Sequence, residues 1–339
     1  MKRLVTYGPR NNRLEIAEDL MPSADEVVVA VKAVGICGSD IAIHRGPFPG
    51  RLTLPRVLGH EWSGQVLRTG KSVQNFKEGD RIVSEEIFWC GYCTACREGN
   101  YDHCANPPEL GFTVDGAFST QVCLPERYCH KLPDNISFKI GAMIEPLSVA
   151  YNAVSLADFP LVSKKIIVIG LGPIGLSVGL WAKASGAAVI GIEPRSYRQQ
   201  IAHRLGISSV INVDPKTCEI QESDLLQDID VIVEASGSHW MVTQLIEHVR
   251  PKGNIILVSH SMQRVQISLE TIVLQGLKII GSCGQVGRNT YTRVIRSLAQ
   301  GVIDPTLMIT HEYKLDDISD ALEMAISTEN YGKIMIIND

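Results

Sequence analysis

The sequence predicts an α/β protein with a β-rich N-terminal domain and a second domain built on a doubly wound parallel sheet. The chain has 339 residues, of which 45% are hydrophobic, and this is enough to bury more than one core. The pattern of the sequence changes near residue 150. Short apolar stretches between glycine and proline turns precede that point, and strand-like and helix-like stretches alternate after it.

The stretches EVVVAVKAVGI, EWSGQVLRTG and DRIVSEEI have the composition of short strands and predict a compact β-barrel-like unit. The later stretch KKIIVIGLGPIGLSVGLWAKASGAAVIGIEP predicts a buried strand, a glycine turn, an amphipathic helix and a second strand that ends at Glu193. DVIVEAS, NIILVS and LKIIGS predict further strands of a parallel sheet, and the tail ends in one more strand, YGKIMIIND.

Charge and hydropathy exclude two broad classes of partner. The net charge of −5 and the pI of about 6.0 argue against a nucleic-acid-binding surface. The N-terminal stretch lacks the apolar core of a secretory signal. The longest apolar run, from Ile166 to Trp181, is interrupted by glycines and a proline, which favours a buried strand–turn–helix over a membrane span. We therefore expect a cytoplasmic protein without a membrane or nucleic-acid partner.

A cluster of cysteines lies in the stretch CGYCTACREGNYDHC, at Cys90, Cys93, Cys96 and Cys104. The chain has nine cysteines, and an odd number in a reducing compartment favours metal ligation over disulfides. Four thiolates at this spacing close a tetrahedral shell around Zn²⁺, so the sequence predicts a structural zinc site. Buried cysteines without a metal and an iron–sulfur cluster are the alternatives. A nucleic-acid zinc ribbon would need a longer gap between cysteine pairs.

The stretch GLGPIG, residues 170–175, predicts a dinucleotide site of the Rossmann type. It follows a predicted strand and opens a helix, and an acidic residue, Glu193, lies 23 positions after the first glycine. The carboxylate would bind the adenosine ribose and repel a 2′-phosphate, so NAD is favoured over NADP. Arg195 and Arg198 could pair with a phosphate, which leaves NADP as the alternative. The predicted cofactor-binding residues are Gly170, Gly172, Pro173, Ile174, Gly175, Glu193 and Arg198.

A second set of candidate metal ligands lies in the first half of the chain. GICGSD contains Cys37, GHEWSG contains His60 and Glu61, and MIEPLSVAYNA contains Glu145. Each residue taken alone has an ordinary structural interpretation. Together they offer the sulfur, nitrogen and oxygen ligands of a catalytic Zn²⁺ that keeps one position open.

The ordered motifs GICGSD, GHE, C-x2-C-x2-C-x7-C, DGAF, EP and GLGPIG span essentially the whole chain. They resemble those of the zinc-containing medium-chain dehydrogenases/reductases, in the branch of sorbitol, threonine and other polyol dehydrogenases. The resemblance implies a GroES-like catalytic domain, residues 1–150 and 286–339, and an inserted Rossmann NAD-binding domain, residues 151–285.

The resemblance also implies two zinc ions per chain. The four-cysteine lobe would hold the structural ion, and Cys37, His60 and a glutamate would hold the catalytic one. The third protein ligand could be Glu61 or Glu145, and the sequence leaves that choice open.

The implied reaction is zinc-assisted hydride transfer from a secondary alcohol to the nicotinamide. Ser39 resembles the hydroxyl that starts the proton relay in this family. Ala42 stands where many members have a relay histidine. His44, two residues further on, could replace that histidine or line the substrate loop.

The expected substrate is a small polyhydroxylated molecule: a polyol, a cyclitol or aminocyclitol, or a sugar acid. GHEWSG, LGFTVDGAF, IEP and GRN resemble segments of 2-deoxy-scyllo-inosamine dehydrogenases, and sugar-acid 5-dehydrogenases are comparably similar. Sugar-phosphate and threonine-type dehydrogenases are alternatives, as is a non-catalytic zinc-binding protein. A homodimer or homotetramer is expected.

The loop HRGPFPGRLTLPR, which follows the first predicted zinc ligand, is expected to border the substrate. Its cations are His44, Arg45, Arg51 and Arg56. Polyol dehydrogenases carry an arginine near GSCGQVGRNTY, and if Asn289 marks the register, Gln285 takes its place here. Arg288, three residues later, is a possible substitute.

Overall fold

A computed structural model describes residues 1–46, 48, 50–214, 216–217, 219–220, 224–261, 264–285, 287, 289–328 and 330–338. The chain forms two compact units. Unit 1 comprises Met1–Ser148, Gln285–Gly301 and Ile309–Asp339, and unit 2 comprises Val149–Gly284 and Val302–Met308. These limits lie within two residues of the predicted boundaries at 150 and 286, apart from Val302–Met308. Arg288, the possible substitute for the polyol-branch arginine, lies outside the described residues.

The strands are β1 (Lys2–Gly8), β2 (Asn11–Ile16), β3 (Glu26–Gly35), β4 (Arg56–Val57), β5 (Glu61–Thr69), β6 (Arg81–Ser84), β7 (Gln121–Pro125), β8 (Cys129–Lys131), β9 (Lys165–Ile169), β10 (Ala188–Ile192), β11 (Ser209–Ile211), β12 (Ile229–Glu234), β13 (Val249–Leu257), β14 (Lys278–Gly281), β15 (Ile309–Lys314) and β16 (Lys333–Ile337).

The α-helices are α1 (Gly38–Arg45), α2 (Thr94–Arg97), α3 (Phe138–Ala142), α4 (Ile144–Ser155), α5 (Pro173–Ala184), α6 (Ser196–Arg204), α7 (Trp240–Leu245), α8 (Leu269–Gln275), α9 (Thr290–Ala299) and α10 (Ile318–Ser327). Short 3-10 turns lie at Tyr101–His103, Glu126–Tyr128, Asp224–Leu226, Ile246–His248, Thr306–Met308 and Leu315–Asp317.

Unit 1 is rich in antiparallel sheet. One sheet has the order β15-β16-β3-β5-β6-β8, with β7 also paired to β3, and a smaller sheet has the order β2-β1-β4. Only β15 and β16 pair in parallel among the described pairs of this unit. The long strand β3 is the centre of the larger sheet, because Val27, Val28 and Val29 are completely buried and every residue of β3 except Lys32 pairs with a neighbouring strand.

Unit 2 is a parallel sheet with the order β11-β10-β9-β12-β13-β14. Its central strands, KIIVI in β9 and IDVIVE in β12, consist mainly of β-branched residues and are buried on both faces. The strand order reverses between β9 and β12, which is where doubly wound sheets bind ligands. The predicted α/β class, with one β-rich unit and one Rossmann unit, is confirmed. No helix in the described part of the chain is both long and apolar enough to cross a bilayer.

Candidate active site

The four cysteines of the predicted structural zinc lobe converge in unit 1. The Sγ atoms of Cys90, Cys93, Cys96 and Cys104 all lie within 4.8 Å of one another. Cys90 Sγ and Cys96 Sγ are 3.9 Å apart. This separation is far longer than a disulfide bond of about 2.05 Å, and it matches the roughly 3.8 Å edge of a tetrahedron with Zn–S bonds of about 2.3 Å. The donor set therefore fits a closed zinc site.

Backbone N–H groups stabilise the thiolate form within this lobe. The amide of Cys93 donates to Cys90 Sγ at 3.4 Å, and the amide of Cys90 donates to Cys104 Sγ at 3.4 Å. Backbone N–H groups of Ala105 and Cys96 lower the pKa of the Cys93 thiol to about 6. Burial has the opposite effect on Cys96 and raises its pKa to about 12. A metal ion would offset that cost, since thiolate is the form that binds metal.

A second metal-ligand group is formed by Cys37, His60 and Glu61, whose ligand atoms also lie within 4.8 Å of one another. Strand pairing brings them together. Gly35, at the end of β3, pairs with Glu61, at the start of β5. Cys37 follows β3 by two residues and His60 directly precedes β5, so all three ligands meet at one edge of the sheet.

This donor set fits a catalytic zinc ion. It provides one sulfur, one nitrogen and one oxygen, which is a number of protein ligands that leaves a fourth position open. His60 and Glu61 are both buried. The buried Nδ1 atom of His60 has no hydrogen-bond partner among the described residues. Burial tends to lower the pKa of His60, but the negative charges of Glu86 and Cys37 outweigh it and raise that pKa well above the ordinary value.

A buried lysine, Lys333, completes this edge of the sheet. Met335 of β16 pairs with Gly35 of β3, which brings the start of β16 beside Glu61. Lys333 Nζ forms an ion pair with Glu61 Oε2, and both side chains are only 2% exposed. A Cβ atom on Gly35 would overlap Glu61 Oε2 and lie 2.7 Å from Lys333 Cε. A larger residue at position 35 would therefore displace the ends of both side chains of the pair.

Glu145 lies beside this group rather than within it. It is in the first turn of α4 and is 6% exposed, and Gln285 Nε2 donates a hydrogen bond to its Oε1 at 2.6 Å. The same Gln285 nitrogen donates to Glu86 Oε2 at 2.9 Å. Burial, and next the charge of Glu86, raise the pKa of Glu145 well above the ordinary value. The structure thus groups Glu61, and not Glu145, with Cys37 and His60.

Helix α1 positions two further polar groups at Cys37. Cys37 N donates to Asp40 Oδ2 at 2.8 Å, which fixes the start of the helix. Burial raises the pKa of Asp40 to about 6, although the nearby His60 acts to lower it. The hydroxyl of Ser39 is buried and has no hydrogen-bond partner among the described residues. The relay role of Ser39 stays a prediction.

His44, predicted either to replace the relay histidine or to line the substrate loop, has a partner at each ring nitrogen. Its Nδ1 atom is 2.9 Å from Asn12 Nδ2, and its Nε2 atom is 2.9 Å from Glu323 Oε1. His44 is 3% exposed. Helix α1 thus turns the side chain toward β2 and α10, and the relay role of His44 stays a prediction.

Two of the arginines expected to border the substrate are paired with acids. Arg51 donates to Glu109 Oε1 at 3.2 Å and to Asn106 Oδ1 at 2.7 Å. Arg56 donates to Asp115 Oδ1 at 2.9 Å. Arg45, at the end of α1, is exposed. The charges of Arg51 and Arg56 are therefore balanced within the protein.

The glycine turn of unit 2 joins β9 to α5. Gly170 has a φ of +84°, which favours glycine. A Cβ atom on Gly175 would overlap the carbonyl oxygen of Gly170, so no larger residue permits this close turn. Gly172 precedes Pro173, the first residue of α5, and Ile174 follows in the same turn. The N-terminus of α5 thus presents free backbone N–H groups, the arrangement that binds a pyrophosphate.

Glu193 directly follows β10 and is 2% exposed. Its Oε2 accepts a hydrogen bond from the amide of Leu171 at 2.7 Å, and its Oε1 accepts one from the amide of Arg195 at 3.1 Å. The carboxylate is thus held against the glycine turn. Arg198 Nη1 would lie 3.5 Å from a Cβ atom on Gly172. One anionic and one cationic side chain therefore flank the predicted dinucleotide site.

Two family models match the chain. Residues 23–134 match the family model of the alcohol dehydrogenase GroES-like domain, and residues 173–300 match that of the zinc-binding dehydrogenase. A scyllo-inosose 3-dehydrogenase from Thermotoga maritima is 31% identical, over 96% of this chain and 89% of that protein.

The chain belongs to the zinc-containing medium-chain dehydrogenases/reductases. It lies in the polyol and threonine dehydrogenase branch. A sorbitol dehydrogenase from Bacillus subtilis is 32% identical, over 97% of this chain and 95% of that protein. A D-arabitol-phosphate dehydrogenase from Enterococcus avium is also 32% identical, over 99% of this chain and 97% of that protein. The protein is therefore an oxidoreductase of the zinc-type alcohol dehydrogenase class.

Two solved structures similar to this chain carry a nicotinamide cofactor. One, described as a short chain alcohol dehydrogenase from Escherichia coli in complex with NADH, has a TM-score of 0.91 and 27% identity, over 100% of this chain and 99% of that one. A zinc-binding dehydrogenase from Sinorhizobium meliloti solved with NADP has a TM-score of 0.90 and 25% identity, over 99% of both chains. The fold thus accommodates zinc and a nicotinamide dinucleotide.

We call the end of the sheet that carries Cys37, His60 and Glu61 the metal edge. Three polar residues near it were absent from the sequence prediction: Glu86, Asp40 and Lys333. Asp40 follows Cys37 by three residues, a capping spacing that could have indicated it. Lys333 opens an apolar strand and has the local appearance of a solvated strand end. Glu86 is one of two adjacent glutamates in DRIVSEEI, which carries no local signal for a site.

Proposed function

We propose that this medium-chain dehydrogenase uses NAD to oxidise a secondary alcohol of a polyol, a cyclitol or aminocyclitol, or a sugar acid to a ketone. The observation that carries the proposal is the grouping of the Cys37, His60 and Glu61 ligand atoms within 4.8 Å. When bound, Zn²⁺ at these residues would supply Lewis-acid polarisation of the substrate hydroxyl, and NAD would supply the hydride acceptor. A second Zn²⁺ at the four-cysteine lobe would have a purely structural role.

Side chains of this protein would transfer the proton that leaves the substrate hydroxyl. The hydroxyl of Ser39 is buried and without a partner among the described residues, so it can accept a hydrogen bond from the substrate hydroxyl. A proton passed to Ser39 would be matched by the release of the Ser39 hydroxyl proton to water, so that Ser39 ends the step neutral. Asp40 and Lys333 hold Cys37 and Glu61 in place through a backbone hydrogen bond and an ion pair. Holding these groups fixed lowers the reorganisation required during the reaction.

The preference for NAD rests on Glu193. Its buried carboxylate follows β10 and is anchored to the glycine turn, where the negative charge would repel a 2′-phosphate. Arg198, which lies near Gly172, would instead contact the adenosine or pyrophosphate part of the cofactor. The solved relatives with NADH and with NADP support a nicotinamide cofactor without deciding between the two.

The substrate class is supported by the polar character of the metal edge. Glu86, Glu145 and Gln285 surround it with hydrogen-bonding groups, and relatives include dehydrogenases of scyllo-inosose and sorbitol. Such a site would leave polar groups unpaired with a simple alkanol and should reject it strongly. The test is the kcat/KM for NAD reduction with ethanol, 2-butanol, sorbitol, an inositol and L-idonate. A ranking headed by the plain alkanols would overturn the proposal.

A homo-oligomer, either a dimer or a tetramer, remains a proposal, as does the cytoplasmic location. Support for an oligomer comes from unit 2, where the apolar side chains of Leu269, Val273 and Leu274 on α8 are more than 70% exposed. β14, which follows α8, is the last strand in its sheet order. A second copy of the chain could cover this apolar surface. Sedimentation of the purified protein measures the oligomeric state directly, and a strict monomer would contradict it.

A further inference from the structure

The side chain of Gln285 bridges two carboxylates at the metal edge. Its Nε2 atom donates to Glu86 Oε2 at 2.9 Å and to Glu145 Oε1 at 2.6 Å. Gln285 is 3% exposed and Glu145 is 6% exposed, whereas Glu86 is half-buried. An amide carries no charge. The bridge therefore orients both carboxylates without balancing the charge of either.

Glu86 acts electrostatically on several groups of this edge. After burial, its negative charge is the next cause that raises the pKa of Glu145. It also raises the pKa of His60 and, after the effects of burial and Glu145, that of the buried Tyr291. Glu86 therefore lies close enough to the predicted metal ligand His60, and to Glu145, for its charge to affect both.

Among the residues that the structure describes, no cation forms an ion pair with Glu86. Lys333 is paired with Glu61, and Arg51 is paired with Glu109. The side-chain hydrogen-bond partner of Glu86 among the described residues is the uncharged amide of Gln285, so no described side chain balances the charge of Glu86. A half-buried carboxylate in this state attracts a cation and repels an anion more strongly than it would in bulk water.

We propose that Glu86 is a specificity-determining residue that sets the charge preference of the substrate site. It favours polyhydroxylated substrates that carry a cationic amino group and disfavours those that carry a carboxylate or a phosphate. Gln285 fixes one oxygen of Glu86 and leaves the rest of the carboxylate to accept a charge-assisted hydrogen bond from the ammonium group. This inference rests on the proposed polyol dehydrogenase function and narrows it.

The test uses three compounds that share one carbon chain: glucamine (1-amino-1-deoxy-D-glucitol), sorbitol and D-gluconate. Their terminal groups are cationic, neutral and anionic. For the zinc-loaded protein we expect kcat/KM with NAD to fall in that order, by about tenfold at each step. Calorimetric dissociation constants measured without NAD should follow the same order. Higher salt should narrow the differences, because screening weakens charge effects.

The variant Glu86→Gln keeps the shape of the side chain and removes its charge. We expect the three compounds to come within about threefold of one another in both kcat/KM and dissociation constant. The matched control is Glu312→Gln, which removes an exposed carboxylate paired with Lys139 and should leave the order unchanged. If Glu86→Gln binds less zinc or melts at a lower temperature, Glu86→Asp provides the control. It retains the negative charge, so it should retain the wild-type order of the three compounds.

The outcomes separate this inference from the function on which it rests. The wild-type protein could oxidise sorbitol and inositols while kcat/KM shows no dependence on the charge of the terminal group, or Glu86→Gln could retain the wild-type order of the three compounds. Either result would refute the role of Glu86 and leave the dehydrogenase function standing. If no polyhydroxylated compound is oxidised with NAD or NADP, the proposed function itself is wrong.

Discussion

Lys333 and Glu61 form an ion pair in which both side chains are 2% exposed, directly over the backbone of Gly35. Burial alone would lower the pKa of Lys333, but the charges of Glu61 and Cys37 outweigh it and raise that pKa above the ordinary value. Each of these two buried charges is stabilised by the other. The loss of one partner leaves the other buried and unpaired.

We therefore expect Lys333→Met to lower the free energy of unfolding of the zinc-depleted protein by about 3 kcal/mol. The loss should be smaller in the zinc-loaded protein, because a bound ion can balance Glu61. Urea denaturation with and without zinc measures both values. The control is Lys139→Met, which breaks an exposed pair with Glu312 and should cost less than about 1 kcal/mol. Equal losses in the two variants would contradict a buried pair.

The two metal groups should respond differently to the loss of a thiolate. Cys93→Ser opens a closed site, so we expect one fewer zinc per chain and a loss of several kcal/mol from the ~10–16 kcal/mol that such sites contribute to folding. Cys37→Ser should yield a folded protein that binds NAD and oxidises no substrate. Metal analysis, thermal melting and NAD titration distinguish the two. The same loss of stability in both variants would refute the division into structural and catalytic ions.

Glu193→Ala removes both a charge and the hydrogen bond to the Leu171 amide. We expect the dissociation constant for NAD to rise about tenfold or more and the ratio of NADP to NAD use to increase. The matched control is Gln199→Ala, which loses the hydrogen bond to the Glu193 backbone carbonyl but keeps the carboxylate. Its cofactor ratio should not change. An unchanged ratio in Glu193→Ala would show that this carboxylate does not discriminate between the cofactors.

The thiol of Cys123 should resist alkylation at alkaline pH. Burial, and next the adjacent Glu26 carboxylate, raise its pKa from 9.0 to about 12, and Cys123 Sγ lies 3.5 Å from Glu26 Oε2. Between pH 9 and about 12 the unfolded chain releases this proton and the folded chain keeps it, so stability falls as the pH rises through that range.

Mass spectrometry after iodoacetamide treatment at pH 9 checks this expectation. In the zinc-loaded protein the exposed Cys283 should be modified before Cys123, and Cys123 should remain largely unmodified. Glu26→Gln removes a like charge and should make Cys123 react faster. Equal rates for Cys123 in the wild type and in Glu26→Gln would refute the effect of the carboxylate.

Much of the site was predictable because its residues are close together in the chain. The four lobe cysteines lie within 15 residues, and the glycine turn and its helix are adjacent, so their chemistry requires little knowledge of the fold. The acidic residue of the dinucleotide site was also predictable, since the strand that carries it ends at a fixed distance after the turn. These are short-range constraints set by ligand geometry and backbone conformation.

The tertiary structure alone decided which distant side chains meet. Strand pairing at the β16–β3–β5 edge buries Lys333 against Glu61, and a neutral amide, Gln285, lies between Glu86 and Glu145. The same long-range packing gives His44 its two partners, Asn12 and Glu323, which its position in the chain did not indicate. Local sequence specifies which ligands are present. The charges and partners around them depend on which strands and helices pack together, because electrostatic interactions in a buried site are set by distance and desolvation rather than by position in the chain.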